Sequence, residues 1–140
     1  SLGLIADQPH EIVDFLKRKK LLDYFKVQAL SGLITMNKPA KKIFEFAVNK
    51  AGCSFGKCVM IGDRMDRDIL PAKQLDMRTI QVRWNTYRKG FKPRTKKQTL
   101  YLESLHRIKN WPIEPAGRSE KPDAVTDSVF ELPEIIDKLG

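Results

Sequence analysis

Two carboxylates at a fixed spacing carry the clearest chemical content of this 140-residue chain. The run Val59-Met60-Ile61 is apolar, ends in Gly62-Asp63, and is followed five residues after Asp63 by a second acid, Asp68. An apolar run ending in Gly-Asp reads as a buried strand that delivers a carboxylate at its carboxyl end, where open α/β sheets bind their ligands. Asp63 and Asp68 are therefore expected to face a common crevice, an arrangement that suits a divalent cation better than it suits packing. Asp66, between them, reads as an N-terminal residue of the following helix, where an acid complements the helix dipole.

The elements that must position these groups follow from periodicity. Leu2-Gly3-Leu4-Ile5-Ala6 predicts a short strand ended by Asp7-Gln8-Pro9. Pro9 suits the first residue of a helix, where its missing N–H costs nothing. That helix is expected to reach about Lys20, with Ile12, Phe15 and Leu16 on one face. Val27 to Leu30 predicts a second strand, broken by Ser31-Gly32. Pro39 opens a helix to about Lys50 with an apolar face of Ile43, Phe44, Ala47 and Val48, and Ala51-Gly52 ends it with a glycine cap. Lys57 to Ile61 predicts a strand, Asp66 to Leu75 a helix, and Arg78 to Val82 another strand. Strands alternating with helices of this length imply βαβ units and a parallel sheet. After Arg83 the rhythm breaks into a polar loop, a candidate helix from Lys96 to Ile108 and a further loop. A short strand at Ala124-Val125-Thr126 and an amphipathic helix from Val129 to Leu139 close the chain. The length fits one domain: a core over 2–83, an excursion over 84–120, and a closing strand and helix over 121–140.

This pattern resembles the haloacid dehalogenase-like (HAD) hydrolase superfamily, mostly Mg²⁺-dependent phosphatases. The family's fourth motif is a hydrophobic strand, Gly-Asp, four residues and Asp, matched in full from Ile61 to Asp68. Lys38-Pro39, about one helix upstream, is similar to the third motif. The resemblance implies an α/β, Rossmann-like core with a parallel sheet flanked by helices. It also implies Mg²⁺ as cofactor and a small phosphate ester as substrate, hydrolysed through an aspartyl-phosphate. It assigns Asp63 as metal ligand and Lys38 as the cation that offsets phosphoryl charge. Asp68 would orient Asp63, a bound water or Lys38. Taken without the resemblance, Lys38 is an ordinary surface lysine before a helix, and Asp68 a first-turn acid favoured by the dipole.

Two departures stand beside the match. The segment Leu2 to Pro9 is similar to the second motif, whose strand ends in Ser or Thr and binds phosphoryl oxygen. Here Ala6 occupies that substrate-binding position and Asp7 follows it. Ala6 offers a backbone N–H but no hydroxyl, and losing such a donor costs roughly 10²–10³ in rate. Asp7 adds negative charge beside an anionic substrate unless a cation sits between them. The larger departure is the first motif, an apolar strand followed by Asp-x-Asp, which supplies the nucleophile and the general acid/base. The only Asp-x-Asp here is Asp66-Arg67-Asp68, inside the fourth motif. The chain thus resembles the carboxyl-terminal part of a HAD core lacking the usual first strand, and is expected to be incomplete or inactive alone. In the family's 3-2-1-4-5 sheet order the missing strand is central, and two bare apolar edges invite association. Upstream residues, another chain, a swapped segment, the strand at Ala124–Thr126, or direct pairing of the two edges could close the slot. The partners expected are therefore a small phosphorylated substrate and a second copy or strand-completing partner. The alternative function is a non-catalytic HAD-like module that binds a polyanion or acidic partner.

The charge bears on that alternative. Of 26 Lys and Arg, nine fall between Arg83 and Lys109 against one acid, Glu103, leaving 17 basic and 16 acidic residues elsewhere. The net charge of +9 thus belongs to one segment. Tyr87, Phe91 and Tyr101 interleave with these cations, a pattern compatible with single-stranded nucleic acid. No reading motif accompanies it, and charge runs are usually solvated faces, so nucleic acid is not the expected partner. Trp84 and Trp111 bracket the excursion. Cys53 and Cys58 fit neither a zinc site nor a disulfide framework, and read as two small buried or half-buried thiols in a reducing cytosol. His10 and His106 lack metal-ligand spacing. No apolar run is long enough to span a bilayer.

Overall fold

The computed structural model describes residues 1–83, 92–100, 117 and 120–140. Most of the basic segment, all of it except 83 and 92–100, lies outside the described residues, as do Trp84, Trp111 and His106. Five strands are described: β1 (Leu2–Ala6), β2 (Phe25–Leu30), β3 (Val59–Gly62), β4 (Arg78–Val82) and β5 (Ala124–Thr126). They form two parallel sheets, β1 with β2 and β3 with β4 with β5. Among the described residues no ladder joins β1 to β3, and β5 lies on the far side of β4 rather than between them. Two of the ways to close the central slot are thereby removed, direct pairing of the bare edges and insertion of Ala124–Thr126.

Burial follows this topology. β4, flanked on both sides, is buried from Thr79 to Val82, whereas β3 buries only Met60 and leaves Val59, Ile61 and Gly62 half-covered. In β1, Leu2 and Gly3 are exposed and the rest are half-buried.

Among the described residues, one helix carries most of the packing between the two sheets. α3 (Lys41–Ala51) presents Ile43, Phe44, Ala47 and Val48 to a shared core with Val27 and Ala29 of β2, Met60 of β3, Ala72 and Met77. Burying each large member of this cluster contributes about 1.5–3 kcal/mol. Gly52 ends α3 in the left-handed region at φ 69°, as the sequence predicts. α1 (Glu11–Arg18) is shorter than expected, with acids in its first turn and cations in its last. Pro9 lies outside it and accepts from the Ile12 N–H at 3.2 Å.

A single turn, α2 (Ser31–Ile34), follows β2 and holds the loop after β1 in place. The Ser31 hydroxyl and the Gly32 N–H both donate to the Gln8 carbonyl, at 3.3 and 3.0 Å. A Cβ at Gly32 would lie 2.6 Å from the His10 nitrogen, so only glycine allows this approach. The closing helix divides into a 3₁₀ turn, Val129–Glu131, and α5 (Leu132–Leu139). No described helix is long and apolar enough to cross a membrane.

Candidate active site

The Gly-Asp end of β3 owes its shape to a contact six residues ahead. A Cβ placed at Gly62 would sit 2.5 Å from Oδ2 of Asp68 and 2.6 Å from its Cγ. Glycine at this position is what lets the Asp68 carboxylate lie against the strand end beside Asp63. The chain then turns through a π-helical segment, Met65–Ile69, before α4 (Leu70–Lys73), where the sequence predicts one continuous helix. The Arg64 carbonyl accepts from both the Asp68 and Ile69 N–H groups, at 2.9 and 3.2 Å. Pro71 has no N–H to continue the ladder, so the wide turn ends where α4 begins. The wide turn tucks Asp68 inward and buries it, while Asp66 stays half-exposed and takes Arg64 in a two-point pair (2.9 and 2.5 Å). That pair holds the Asp66 carboxyl below its usual range.

Lys38 reaches this turn from the other side. Its Nζ donates to Oδ1 of Asp68, with side chains only 14% and 4% exposed. Oδ2 of Asp68 accepts from the Arg64 N–H at 3.1 Å. Both oxygens of Asp68 are thus engaged, one by Lys38 and one by the backbone next to Asp63. The Lys38–Pro39 peptide is cis.

Asp7, at the end of β1, ties the same assembly to the first sheet. Its Oδ1 accepts from the Lys38 backbone N–H at 2.9 Å, and its Oδ2 meets Arg67 Nη2 at 2.6 Å. Arg67 also donates to the Lys38 carbonyl at 2.5 Å. Arg67 is therefore the cation that Asp7 requires, a residue that sequence reasoning did not single out. Its signal was present: an acid out of place at Asp7, and an arginine inside the second acidic pair. Nε of Arg67 is buried and has no hydrogen-bond partner among the described residues. Ala6, the last residue of β1, pairs with Leu30 and is half-buried beside this linkage. A second residue missed is Gln81, buried on β4, whose amide donates to the Asp63 carbonyl at 3.4 Å. A glutamine within Thr79-Ile80-Gln81-Val82 was the available cue.

Burial, then the neighbouring Asp68 charge, pushes the Asp63 pKa up, and its own backbone hydrogen bond, Lys38 and Arg64 only partly oppose them. Among the described residues no group of three or more Asp, Glu, His or Cys side chains stands ready to hold a metal. A cation at Asp63 would draw one carboxylate oxygen from these residues and complete its shell with water and substrate. That donor set fits Mg²⁺ and does not fit Ca²⁺ or structural Zn²⁺, which need larger protein cages.

A profile of HAD-hydrolase-like proteins matches residues 35–108, which include Lys38, Asp63 and Asp68. The chain belongs to the HAD-hydrolase-like family. A glyceraldehyde 3-phosphate phosphatase of Methanopyrus kandleri is 34% identical over 138 residues, covering 99% of this HAD chain and 48% of the relative. The fold is shared with a HAD phosphatase from Thermococcus onnurineus (TM-score 0.68, 24% identity), over 97% of this chain and 50% of the other. It is shared equally with the HAD-hydrolase YfnB of Bacillus subtilis, a structure bound to magnesium (TM-score 0.68, 17% identity, 98% and 49% covered). The chain spans less than half the length of the curated relatives it matches.

Proposed function

We propose that this chain is the phosphate- and metal-handling part of a Mg²⁺-dependent phosphatase acting on a small phosphate monoester in the cytoplasm. The observation that carries this reading is the meeting of Lys38, Asp63 and Asp68 at the carboxyl end of β3. The relatives' names point to sugar-phosphate-sized substrates such as glyceraldehyde 3-phosphate. In this reading Asp63 holds Mg²⁺, which when bound supplies positive charge against the phosphoryl oxygens. Asp68 fixes the Lys38 ammonium at the rim, where it faces the same phosphoryl charge. Asp7 and Arg67 position Lys38 through its backbone and need not touch substrate. Ala6 contributes a backbone N–H in place of a hydroxyl.

The nucleophile is then supplied by another segment, an apolar strand ending in Asp-x-Asp that pairs with the free edges of β1 and β3. Its source is residues preceding this segment or a second chain. The chain alone, with Mg²⁺ and p-nitrophenyl phosphate, is expected to show no turnover. Fusing such a strand ahead of β1 is expected to produce it. Brisk turnover by the unfused chain, abolished by Asp63→Asn, would place the nucleophile within these residues and refute this part of the proposal.

A further inference from the structure

Cys53 and Cys58 lie on the turn that leads from α3 into β3, at the ends of those elements remote from Lys38 and Asp63. Spacing alone gave them no joint role, yet their sulfurs are 2.9 Å apart. The approach is built by the backbone. Gly52, in the left-handed region, turns the chain out of α3, and the Cys53 N–H donates back to the Val48 carbonyl at 3.3 Å. The Cys58 and Lys57 N–H groups close a tight 3₁₀ turn onto Phe55 and Ser54 at 2.9 and 3.1 Å. Cys53 is exposed, while Cys58 is half-buried and packs on the shared core.

We propose that Cys53 and Cys58 form a reversible dithiol–disulfide site, oxidised by peroxide-class oxidants. This inference is independent of the phosphatase reading, because neither thiol touches the acidic site. The exposed Cys53 sulfur attacks one peroxide oxygen, the O–O bond breaks, and Cys53 becomes a sulfenic acid as the other oxygen leaves as water. The Cys58 sulfur then attacks the Cys53 sulfur. The S–S bond forms, the sulfenic hydroxyl departs, and the Cys58 proton leaves with it as a second water. Two electrons pass from the thiols to one peroxide. The order follows from the surroundings: burial, then the Cys53 contact, pushes the Cys58 thiol up to about 11, so it resolves the bond rather than meeting the oxidant first.

The test is peroxide treatment of the native chain, read by thiol titration, non-reducing electrophoresis and intact mass. Expected is loss of both thiols in a monomer whose mass falls by about 2 Da, restored by dithiothreitol. The share of oxidised chains that close the disulfide, rather than stopping at oxygen adducts or dimers, should be at least several-fold larger in the folded chain than in denaturant, because the fold brings the sulfurs together. Cys58→Ser should instead gain oxygen on Cys53 or form a cross-linked dimer. Both thiols surviving in the folded wild type, a wild type that yields only sulfinic acid or dimers, or an equal share of disulfide folded and unfolded would each overturn the proposal. Cys58→Ser falls on a half-buried thiol at the edge of the core, and the products of the wild type decide the matter if that variant fails to fold.

Discussion

At the scale of single residues, the site shows a carboxylate that the fold tolerates rather than welcomes. The Asp63 pKa is raised by burial first and by Asp68 second. A carboxylate with a raised folded pKa destabilises the native state while ionised, and that penalty vanishes as pH falls through the folded value. Asp63→Asn is therefore expected to raise the thermal midpoint at pH 7, with the gain shrinking as the solution is acidified toward pH ~4. Unfolding curves of both proteins across that range check it. Lys38 behaves oppositely. It partners an almost fully buried carboxylate, and removing one member of such a pair costs about 3–5 kcal/mol. Lys38→Met should cost that much in urea unfolding, and much less when combined with Asp68→Asn. If the two changes simply add, the pair is not coupled. Asp63 and Asp68 were legible because they share one local motif, and Lys38 because it stands before a helix about one element upstream. Arg67 was not, because its partners Asp7 and the Lys38 carbonyl come from distant parts of the chain. The same holds for the meeting of Cys53 and Cys58, which depends on how one turn is wound.

At the scale of elements, periodicity located every described strand and most helices, since apolar faces must match the shared core. It did not show the π turn at Met65–Ile69 or the single turn α2, whose lengths are too short to register as a pattern. Nor could it place β5. That strand is held by Asp123, whose Oδ2 accepts from both the N–H and hydroxyl of Thr79 at 2.8 Å, while Lys73 reaches Oδ1 at 3.1 Å. Burial opposes the charge, but the Thr79 and Lys73 contacts outweigh it and hold the Asp123 carboxyl below its usual range. A lowered folded pKa contributes stability above the unfolded value, near 4, and that contribution fades as pH falls through the folded value. Asp123→Ala leaves the buried Thr79 donors without a partner, a loss of about 1–3 kcal/mol at pH 7 that diminishes in acid. Hydrogen exchange at Ile80 to Val82 should report it as faster opening of the β4–β5 ladder.

At the scale of the molecule, the described strands form two sheets divided between β1 and β3, and α3, the Lys38–Asp68 and Asp7–Arg67 pairs and the bond from Arg67 to the Lys38 carbonyl bridge the halves in the vicinity of the site. The sequence shows no apolar strand followed by Asp-x-Asp, and among the described residues no ladder joins β1 to β3. The placement of β5 beyond β4 was open until the structure assigned it. The proposed function of Lys38, Asp63 and Asp68 as a metal-binding centre is the claim on which the rest depends. Titrating Mg²⁺ while following the thermal midpoint tests it most directly, with Asp63→Asn and the exposed control Asp137→Asn alongside. Binding to the native state alone stabilises it by about 2.7 kcal/mol at a hundred times the dissociation constant. The wild type and Asp137→Asn should rise together with Mg²⁺ and Asp63→Asn should stay flat; a wild type that ignores Mg²⁺, or an Asp63→Asn protein that rises with it, would contradict the assignment.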